Sequence, residues 1–228
     1  MGRPVPGSAS RLAVALKGGH NAEQHNHNDV GSYVVLVGRR AVLLDPGQET
    51  RTGRTFSARR YESNLLNSFG HPVPRIADTL QATGAQARAE LIETRFSAAR
   101  DTISLDLRSA YSVATLRKLT RSFRYDREGA GAFTVVDDAV AAEPVAFETA
   151  LITLGQWRQT GPATLRVEDS GEAVEVAIDA QGERFTLVGE TVAEERRGLP
   201  RTTRIAIRLE RPVRAARVEV RITPVPRP

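Results

Sequence analysis

The chain of 228 residues is 40% hydrophobic and 26% charged, and it contains no cysteine. This length allows one large domain or two small ones with a substantial core. The lack of cysteine excludes disulfide bonds, thiolate metal sites and a cysteine nucleophile. No apolar run approaches the roughly 18 residues that a membrane-spanning helix needs. The first residues lack the apolar core of a signal peptide and indicate no particular compartment.

The net charge of +5 comes almost entirely from arginine, because Lys17 and Lys118 are the only lysines. Such a charge could mark a surface for polyanions such as nucleic acid or acidic polysaccharide. We favour a coding bias toward arginine and alanine, since the arginines are scattered and interleaved with acidic residues. No recognised nucleic-acid motif accompanies them, so we expect no nucleic-acid partner.

In chain order, a stretch rich in Pro, Gly and Ser over residues 1–10 predicts a flexible lead-in. Short apolar or alternating runs then predict strands at 11–17, 30–37, 40–44, 73–76, 88–96, 102–107, 118–125, 132–136, 146–153, 163–167, 173–178, 184–188, 204–209 and 215–222. Gly38-Arg39 and residues 126–131 predict hairpin turns. Residues 51–67 predict a polar loop with room for one short helix, and residues 110–120 could be strand or helix.

This pattern of about a dozen short strands, separated by turn signals and without a long helical stripe, is typical of an all-β protein. We therefore predict a large antiparallel β-sandwich of the supersandwich type, forming one domain over residues 11–228. The candidate site residues are confined to the first third of the chain. We expect a metal site among the N-terminal loops of the sandwich.

The histidines are unevenly placed, because three of the four lie between residues 20 and 27 and the fourth is His71. On a strand, His25 and His27 would project from one face. That arrangement suits two ligands of one metal ion, or one ligand beside one catalytic imidazole. Asp45, followed by Pro46-Gly47, ends the next apolar run and could add a carboxylate.

Two neighbouring side chains of the polar loop could belong to the same site. Arg60 could bind a carboxylate or sulfate group bidentately, or it could be an ordinary solvated arginine. Tyr61 could contact a substrate or donate a proton, or it could pack within the loop. The residues alone leave both alternatives open.

A longer set of segments resembles a known family. The run from Lys17 to Ser32, with its His-Asn-His-Asn-Asp centre, is followed by Asp45-Pro46-Gly47, Arg60-Tyr61 and Asn67-Ser68-Phe69-Gly70-His71. Together these segments resemble the β-sandwich part of the heparinase II/III family of polysaccharide lyases. The resemblance covers about residues 11–125, and beyond them it depends on strand character alone.

The resemblance implies a lyase that cleaves uronic-acid-containing polysaccharides, such as glycosaminoglycans, by β-elimination. It implies that His25 faces the substrate cleft as a catalytic residue. It further implies that His27, Asp45 and His71 bind a structural zinc ion. Two imidazoles and one carboxylate are normal zinc ligands, with a fourth position left for water or another group.

Arg60 and Tyr61 lie in a segment that carries the resemblance, and we take them as candidate contacts to the anionic polysaccharide. Arg51 departs from the pattern, in which an aromatic residue follows shortly after the Asp-Pro-Gly turn. The family's α/α toroid domain, which supplies further acid, base and carboxylate-neutralising groups, has no counterpart in this sequence. We therefore expect a lone sandwich domain, a truncated reading frame or one half of a two-chain enzyme, inactive without a toroid. The implied setting is bacterial: periplasmic, secreted or cytoplasmic.

Two other functions remain open at this point. The first is a carbohydrate-binding module without catalysis. The second is a cupin-like metal-dependent oxygenase, in which His25, His27 and Asp45 would form a two-His-one-carboxylate iron site. The spacing from Gly19 to His25 and His27 fits the opening of a cupin motif. No glutamate stands four or five residues after His27, which argues against it.

Overall fold

The computed structural model describes residue 2, residues 10–194, residues 196 and 198, and residues 200–226. Most of the predicted lead-in, residues 1 and 3–9, lies outside the described residues. Gly2 forms two backbone hydrogen bonds with Val14, of 3.1 and 3.0 Å. Ser10 donates a hydrogen bond to the carbonyl oxygen of Ala130 at 2.8 Å. These two residues therefore pack against the folded domain.

Strands make up most of the regular structure in the described residues. They are β1 (Leu12–Leu16), β2 (His20–Asn21), β3 (Tyr33–Val37), β4 (Arg40–Leu43), β5 (Arg75–Ile76), β6 (Gly84–Arg88), β7 (Glu90–Phe96), β8 (Arg100–Asp106), β9 (Leu116–Asp126), β10 (Ala132–Val145), β11 (Phe147–Thr153), β12 (Gln156–Gly161), β13 (Thr164–Asp169), β14 (Glu172–Asp179), β15 (Phe185–Thr191), β16 (Thr203–Leu209) and β17 (Val213–Pro224). The helical turns are all short 3-10 helices, at Arg54–Phe56, Arg60–Glu62, Ser68–Gly70 and Arg108–Ala110. Among the described residues, no helix is long and apolar enough to cross a membrane.

The strands form antiparallel sheets. The largest has eight strands in the order β12-β13-β14-β17-β10-β9-β8-β7, and a second has four in the order β15-β16-β11-β5. Smaller sheets of β1-β3-β4 and β2-β6 complete the set in the described part of the chain. The prediction of an all-β antiparallel sandwich is confirmed.

The core is built by the alternation of buried and exposed side chains along the long strands. The rings of Phe123 on β9 and Phe133 on β10 stack with their centroids 6.0 Å apart. Tyr33 on β3 meets Phe133 edge-on at 5.5 Å, which joins the three-stranded sheet to the eight-stranded one. Each fully buried aromatic side chain of this kind contributes about 1.5–3 kcal/mol of hydrophobic stabilisation.

Both predicted hairpins are confirmed, since β3 pairs with β4 and β9 pairs with β10. Several details differ from the prediction: β2 was not predicted, β5 is only two residues long, and β10 extends to Val145. The strand predicted at 30–37 begins only at Tyr33, and the one predicted at 88–96 is divided between β6 and β7. The edge strand β12 was not predicted, because its sequence is mostly polar and gives no clear alternation. Residues 110–120 contain no α-helix: a 3-10 turn at Arg108–Ala110 precedes β9.

Two connections carry the candidate site residues. We call residues 22–32, between β2 and β3, the histidine loop, and residues 44–74, between β4 and β5, the long loop. The long loop contains three of the 3-10 turns, in agreement with the predicted polar loop with a short helix. Asp45 lies two residues after the end of β4, and His71 directly follows the 3-10 turn at Ser68–Gly70. Both ends of the long loop are thus anchored on sheet strands.

Candidate metal centre and neighbouring histidine

Four side chains from the two loops converge on one point. They are His27 and Asp29 of the histidine loop and Asp45 and His71 of the long loop, and their ligand atoms all lie within 4.8 Å of one another. His27, Asp29 and His71 are buried, and Asp45 is partly exposed. The structure therefore brings together the three residues that the resemblance implied as metal ligands, and it adds Asp29.

His71 and Asp45 form the centre of the cluster. Nδ1 of His71 lies 2.8 Å from Oδ2 of Asp45, and Nε2 lies 3.1 Å from the carbonyl oxygen of Leu65. Burial favours a neutral His71, but the charge and hydrogen bond of Asp45 outweigh it and raise the pKa of His71. Burial likewise opposes ionisation of Asp45, yet His71 and the hydroxyl of Ser32, which donates at 2.7 Å, lower its pKa.

His27 is the neutral member of the cluster. Burial, reinforced by the charge on His71, lowers the pKa of His27 to about 4. Its ring centroid lies 5.3 Å from that of His71. A neutral imidazole presents a nitrogen lone pair, which is the form that coordinates metal ions.

Asp29 is not among the metal ligands that the resemblance implied. Its backbone N–H bonds to the side-chain oxygen of Asn21 at 3.2 Å, and its carboxylate forms an ion pair with Lys17. Burial raises the pKa of Asp29, although the charges on His71 and Lys17 oppose that shift. Its place two residues after a candidate ligand was the signal in the sequence that could have drawn attention to it.

The residues fit a zinc ion. Two imidazoles and carboxylates in one cluster are the donor set that zinc takes in proteins. The carbonyl of Leu65 holds Nε2–H of His71, which leaves Nδ1 on the side of the other ligands. Metal-binding histidines commonly donate their second ring N–H to a carbonyl or carboxylate in this way.

His25 lies apart from this cluster. The prediction that His25 and His27 project from one face of a strand is wrong, because the histidine loop contains no strand. His25 adopts a left-handed backbone conformation with φ of 58° and is exposed, whereas His27 is buried. The cupin-like ligand set of His25, His27 and Asp45 is therefore not assembled, since His71 and Asp29 take the places beside His27.

Asn26, between the two histidines, is held by the predicted substrate-binding pair. Nη2 of Arg60 donates to the Asn26 carbonyl oxygen at 2.8 Å, and the Tyr61 hydroxyl donates to Oδ1 of Asn26 at 3.0 Å. Nη1 of Arg60 donates to the carbonyl oxygen of Thr55 at 2.9 Å. Arg60 and Tyr61 thus lie beside His25 and also fix the loop that carries it. Their contact with a polysaccharide stays a prediction.

A small pocket opens beside His25. It is lined by His25, Gln48, Glu49, Arg51, Thr55, Phe56, Arg60 and Leu66. Phe56 is 68% exposed, and the guanidinium carbon of Arg51 lies 5.9 Å from the centre of its ring. An exposed aromatic face at this place could contact the apolar face of a sugar. Phe56 was not predicted as a site residue, because the surrounding segment is polar and has no periodic pattern.

A buried polar network holds the histidine loop against the domain. The amide of Gln81 accepts from the Val30 N–H at 3.1 Å and donates to the Val30 carbonyl at 2.9 Å. The same amide oxygen accepts from the side chain of Asn21 at 3.1 Å. Satisfied buried networks of this kind define one conformation, because each unpaired group would be costly. The loop is thus fixed without forming a strand.

Comparisons with solved structures find proteins with the same fold. No protein-family model and no curated protein matches the sequence. A solved heparinase III gene product matches 93% of this chain with a TM-score of 0.73 and 14% identity. The heparan sulfate lyase HepC from Pedobacter heparinus matches 93% with a TM-score of 0.72 and 14% identity. A further heparinase III structure matches 94% with a TM-score of 0.67 and 16% identity.

The chain has a heparinase-like β-sandwich fold. It spans about a third of the length of these neighbours, 32% of the first and 33% of the other two. The heparinase-like fold extends over 93% of the chain, well beyond the residues 11–125 that carried the resemblance in sequence.

Proposed function

We propose that this chain is the β-sandwich domain of a polysaccharide lyase that cleaves uronic-acid polymers by β-elimination. The observation that carries the proposal is the placement of exposed His25 two residues from buried His27, which belongs to the cluster with Asp45 and His71. The heparinase-like fold supports the same function. The neighbours' printed names describe lyases of heparan sulfate, so an anionic polysaccharide is the proposed substrate class.

In β-elimination a base removes the proton at C5 of the uronate, an acid protonates the leaving oxygen at C4, and the carboxylate is neutralised. An exposed imidazole can carry a proton or donate a hydrogen bond to the substrate carboxylate. His25 is the residue that we assign to this work. Arg60 lines the same pocket, and Tyr61 bonds to Asn26 beside His25. Both would bind the chain of anionic sugars.

The proposed zinc ligands are His27, Asp45 and His71, and Asp29 lies close enough to be a fourth. When bound, zinc would tie the histidine loop to the long loop and couple the geometry of the site to the stability of the fold. We assign it a structural role. His25 is not among the converging ligands, so the site divides into a buried metal-binding part and an exposed part that meets substrate.

The proposed partner is an α/α toroid, on the same chain or on a second one. The test joins this chain to a toroid domain from a heparinase and follows the ultraviolet absorbance of the unsaturated product on heparan sulfate, hyaluronan and alginate. Activity that is lost in His25→Ala and kept in His20→Ala supports the proposal. A fusion that binds the polymer and forms no unsaturated product on any of them would refute it.

A non-catalytic polysaccharide-binding domain is the second candidate. The exposed ring of Phe56 beside Arg51 and Arg60 favours it, since this set can bind anionic sugars without any acid or base. Binding of the polymers by the isolated chain, weakened in Phe56→Ala, together with an inactive fusion, would select this function over the lyase.

A further inference from the structure

Arg121 is a charged residue in a position where the strand pattern requires an apolar one. It lies on β9 between buried Leu119 and Phe123, and its side chain is fully buried. Asp137 on β10 stands directly opposite in the antiparallel register and is also buried. The two form a bidentate ion pair through Nε at 2.7 Å and Nη2 at 2.8 Å.

All five N–H groups of the Arg121 guanidinium find an acceptor. Two go to Asp137, and a third goes from Nη2 to the hydroxyl of Thr149 at 2.9 Å. The remaining two, both on Nη1, go to backbone carbonyl oxygens: Gly31 at 2.8 Å and Pro72 at 2.5 Å. No donor of this buried cation is left unsatisfied.

The two carbonyls belong to the two loops that carry the candidate ligands. Gly31 lies two residues after Asp29 in the histidine loop, and Pro72 directly follows His71 in the long loop. A single nitrogen atom therefore joins the backbones of segments 41 residues apart in sequence, at the point where their side chains converge.

Stability alone does not explain a charged pair in this position. Replacing a buried ion pair with apolar residues of similar size is often neutral or stabilising. An apolar pair cannot, however, donate hydrogen bonds to two carbonyl oxygens. What the guanidinium adds is a fixed separation between the two loops, because its planar geometry sets the directions of all five bonds.

We infer that Arg121 is the positioning residue of the metal centre, fixing the histidine loop relative to the long loop. The inference rests on the proposed metal site for its functional meaning, but the positioning itself is measurable without metal. Arg121 touches neither the ligand atoms nor the pocket of His25, so its effect passes through the backbone at Gly31 and Pro72.

The main test variant is Arg121→Leu combined with Asp137→Leu, which removes the carbonyl hydrogen bonds without leaving Asp137 as an unpaired buried charge. The second is Arg121→Lys, which keeps a positive charge opposite Asp137 but has no planar fork to reach both carbonyls. Leu165→Ala is the control, because it destabilises the core and removes no hydrogen bond of either loop.

Two measurements apply to each folded variant, as judged by far-ultraviolet circular dichroism. Long-range proton–nitrogen NMR of the metal-free protein reports the ring nitrogens of the four histidines. We expect the His27 and His71 resonances to move in both Arg121 variants and to stay in place in Leu165→Ala. In both Arg121 variants the zinc dissociation constant should rise at least tenfold, and the visible spectrum of the cobalt-substituted protein should change.

Unchanged His27 and His71 resonances together with an unchanged zinc affinity would overturn the inference. If the double variant does not fold, Arg121→Lys decides by the same two measurements. If the unmodified chain binds no zinc, the proposed metal site fails, and the histidine resonances alone decide whether Arg121 positions the loops.

Discussion

Nδ1 of His71 lies 2.8 Å from a carboxylate oxygen of Asp45, inside a cluster in which the other nitrogen of the ring faces the carbonyl oxygen of Leu65. Both partners are acceptors, so the metal-free arrangement is satisfied only by an imidazolium that donates from both nitrogens. The raised pKa of His71 and the lowered pKa of Asp45 both result from this pairing. The protein thus holds a proton where the proposed zinc ion would bind.

We expect zinc binding to release a proton at neutral pH, because Nδ1 of His71 must lose its proton to coordinate. The pKa of His71 is raised above its usual value of about 6.5, so zinc affinity should keep rising with pH through neutrality. The measurement is calorimetric titration in buffers that differ in ionisation enthalpy. A binding enthalpy that does not depend on the buffer would mean that no proton leaves.

The metal-free protein should show the opposite dependence on pH. Because the folded pKa of His71 is raised, its contribution to stability is complete below about pH 6.5 and is lost as pH rises through the folded value. The lowered pKa of Asp45 gives a contribution present above about pH 3.8 and lost as pH falls further. Urea unfolding in the presence of a chelator should therefore show that the His71–Asp45 pair stabilises the protein most between about pH 3.8 and about pH 6.5. A pH profile that Asp45→Asn leaves unaltered would contradict the assignment.

Asp45→Asn should weaken zinc binding by at least tenfold and reduce the stability of the metal-free protein by about 1–3 kcal/mol. The amide cannot serve as the anionic ligand, and it leaves His71 without its charged partner. Zinc content and urea denaturation measure the two effects. Asp138→Asn is the matched control, since Asp138 forms a partly exposed pair with Lys118 at 2.7 Å and should cost less than about 1 kcal/mol.

Gly70→Ala should displace the segment that carries His71. A Cβ atom at Gly70 would lie 2.2 Å from the backbone carbonyl oxygen of Asn64, which cannot move aside as a side chain could. We expect a loss of roughly 1–3 kcal/mol, as for other overpacked sites, and weaker zinc binding. Gly53→Ala, in the same loop with no atom within 4 Å of the added Cβ, should change neither. Equal thermal stability of the two variants would show that the contact at Gly70 relaxes.

The regular part of this fold was predictable from sequence because alternation along β9 and β17 directly reflects which side chains face the core. The site was predictable only as a set of residue types. The histidine segment forms a loop because Arg60 and Tyr61 bond to Asn26, and because Gln81 bonds to Val30. Such long-range contacts leave no periodic signal in the sequence. Arg121 was detectable in principle, since a charge between buried Leu119 and Phe123 interrupts the alternation and demands a partner.

His25→Ala should leave zinc binding nearly unchanged in the isolated chain, whereas His27→Ala should abolish it. The two residues are close in sequence, but only His27 belongs to the converging cluster, and His25 is exposed with a left-handed backbone. Zinc content after dialysis, measured on the two variants in parallel, tests this division. Loss of zinc from His25→Ala would show that His25 is a ligand and that the two roles are not separate.

The isolated chain should not cleave polysaccharide by itself. Elimination needs a base at C5, an acid at the leaving oxygen and a neutralised carboxylate, all oriented around one sugar ring. The described residues around His25 offer one imidazole, Tyr61 and two arginines on an open surface, where the substrate carboxylate stays hydrated and the C5 proton stays weakly acidic. Glu49 also lines the pocket, but its carboxylate accepts hydrogen bonds from Arg54, Thr55 and Ser63. Orientation alone can contribute about 7–11 kcal/mol to such a reaction, so half a site should be slower by many orders of magnitude.

The measurement compares product absorbance for the isolated chain, a toroid domain and the two combined, on the same series of uronic-acid polymers. We expect product only from the combination, and none from the combination that carries His25→Ala. Steady product formation by the isolated chain, abolished by His25→Ala, would mean that the sandwich holds a complete catalytic site and that a second domain is not needed for the chemistry.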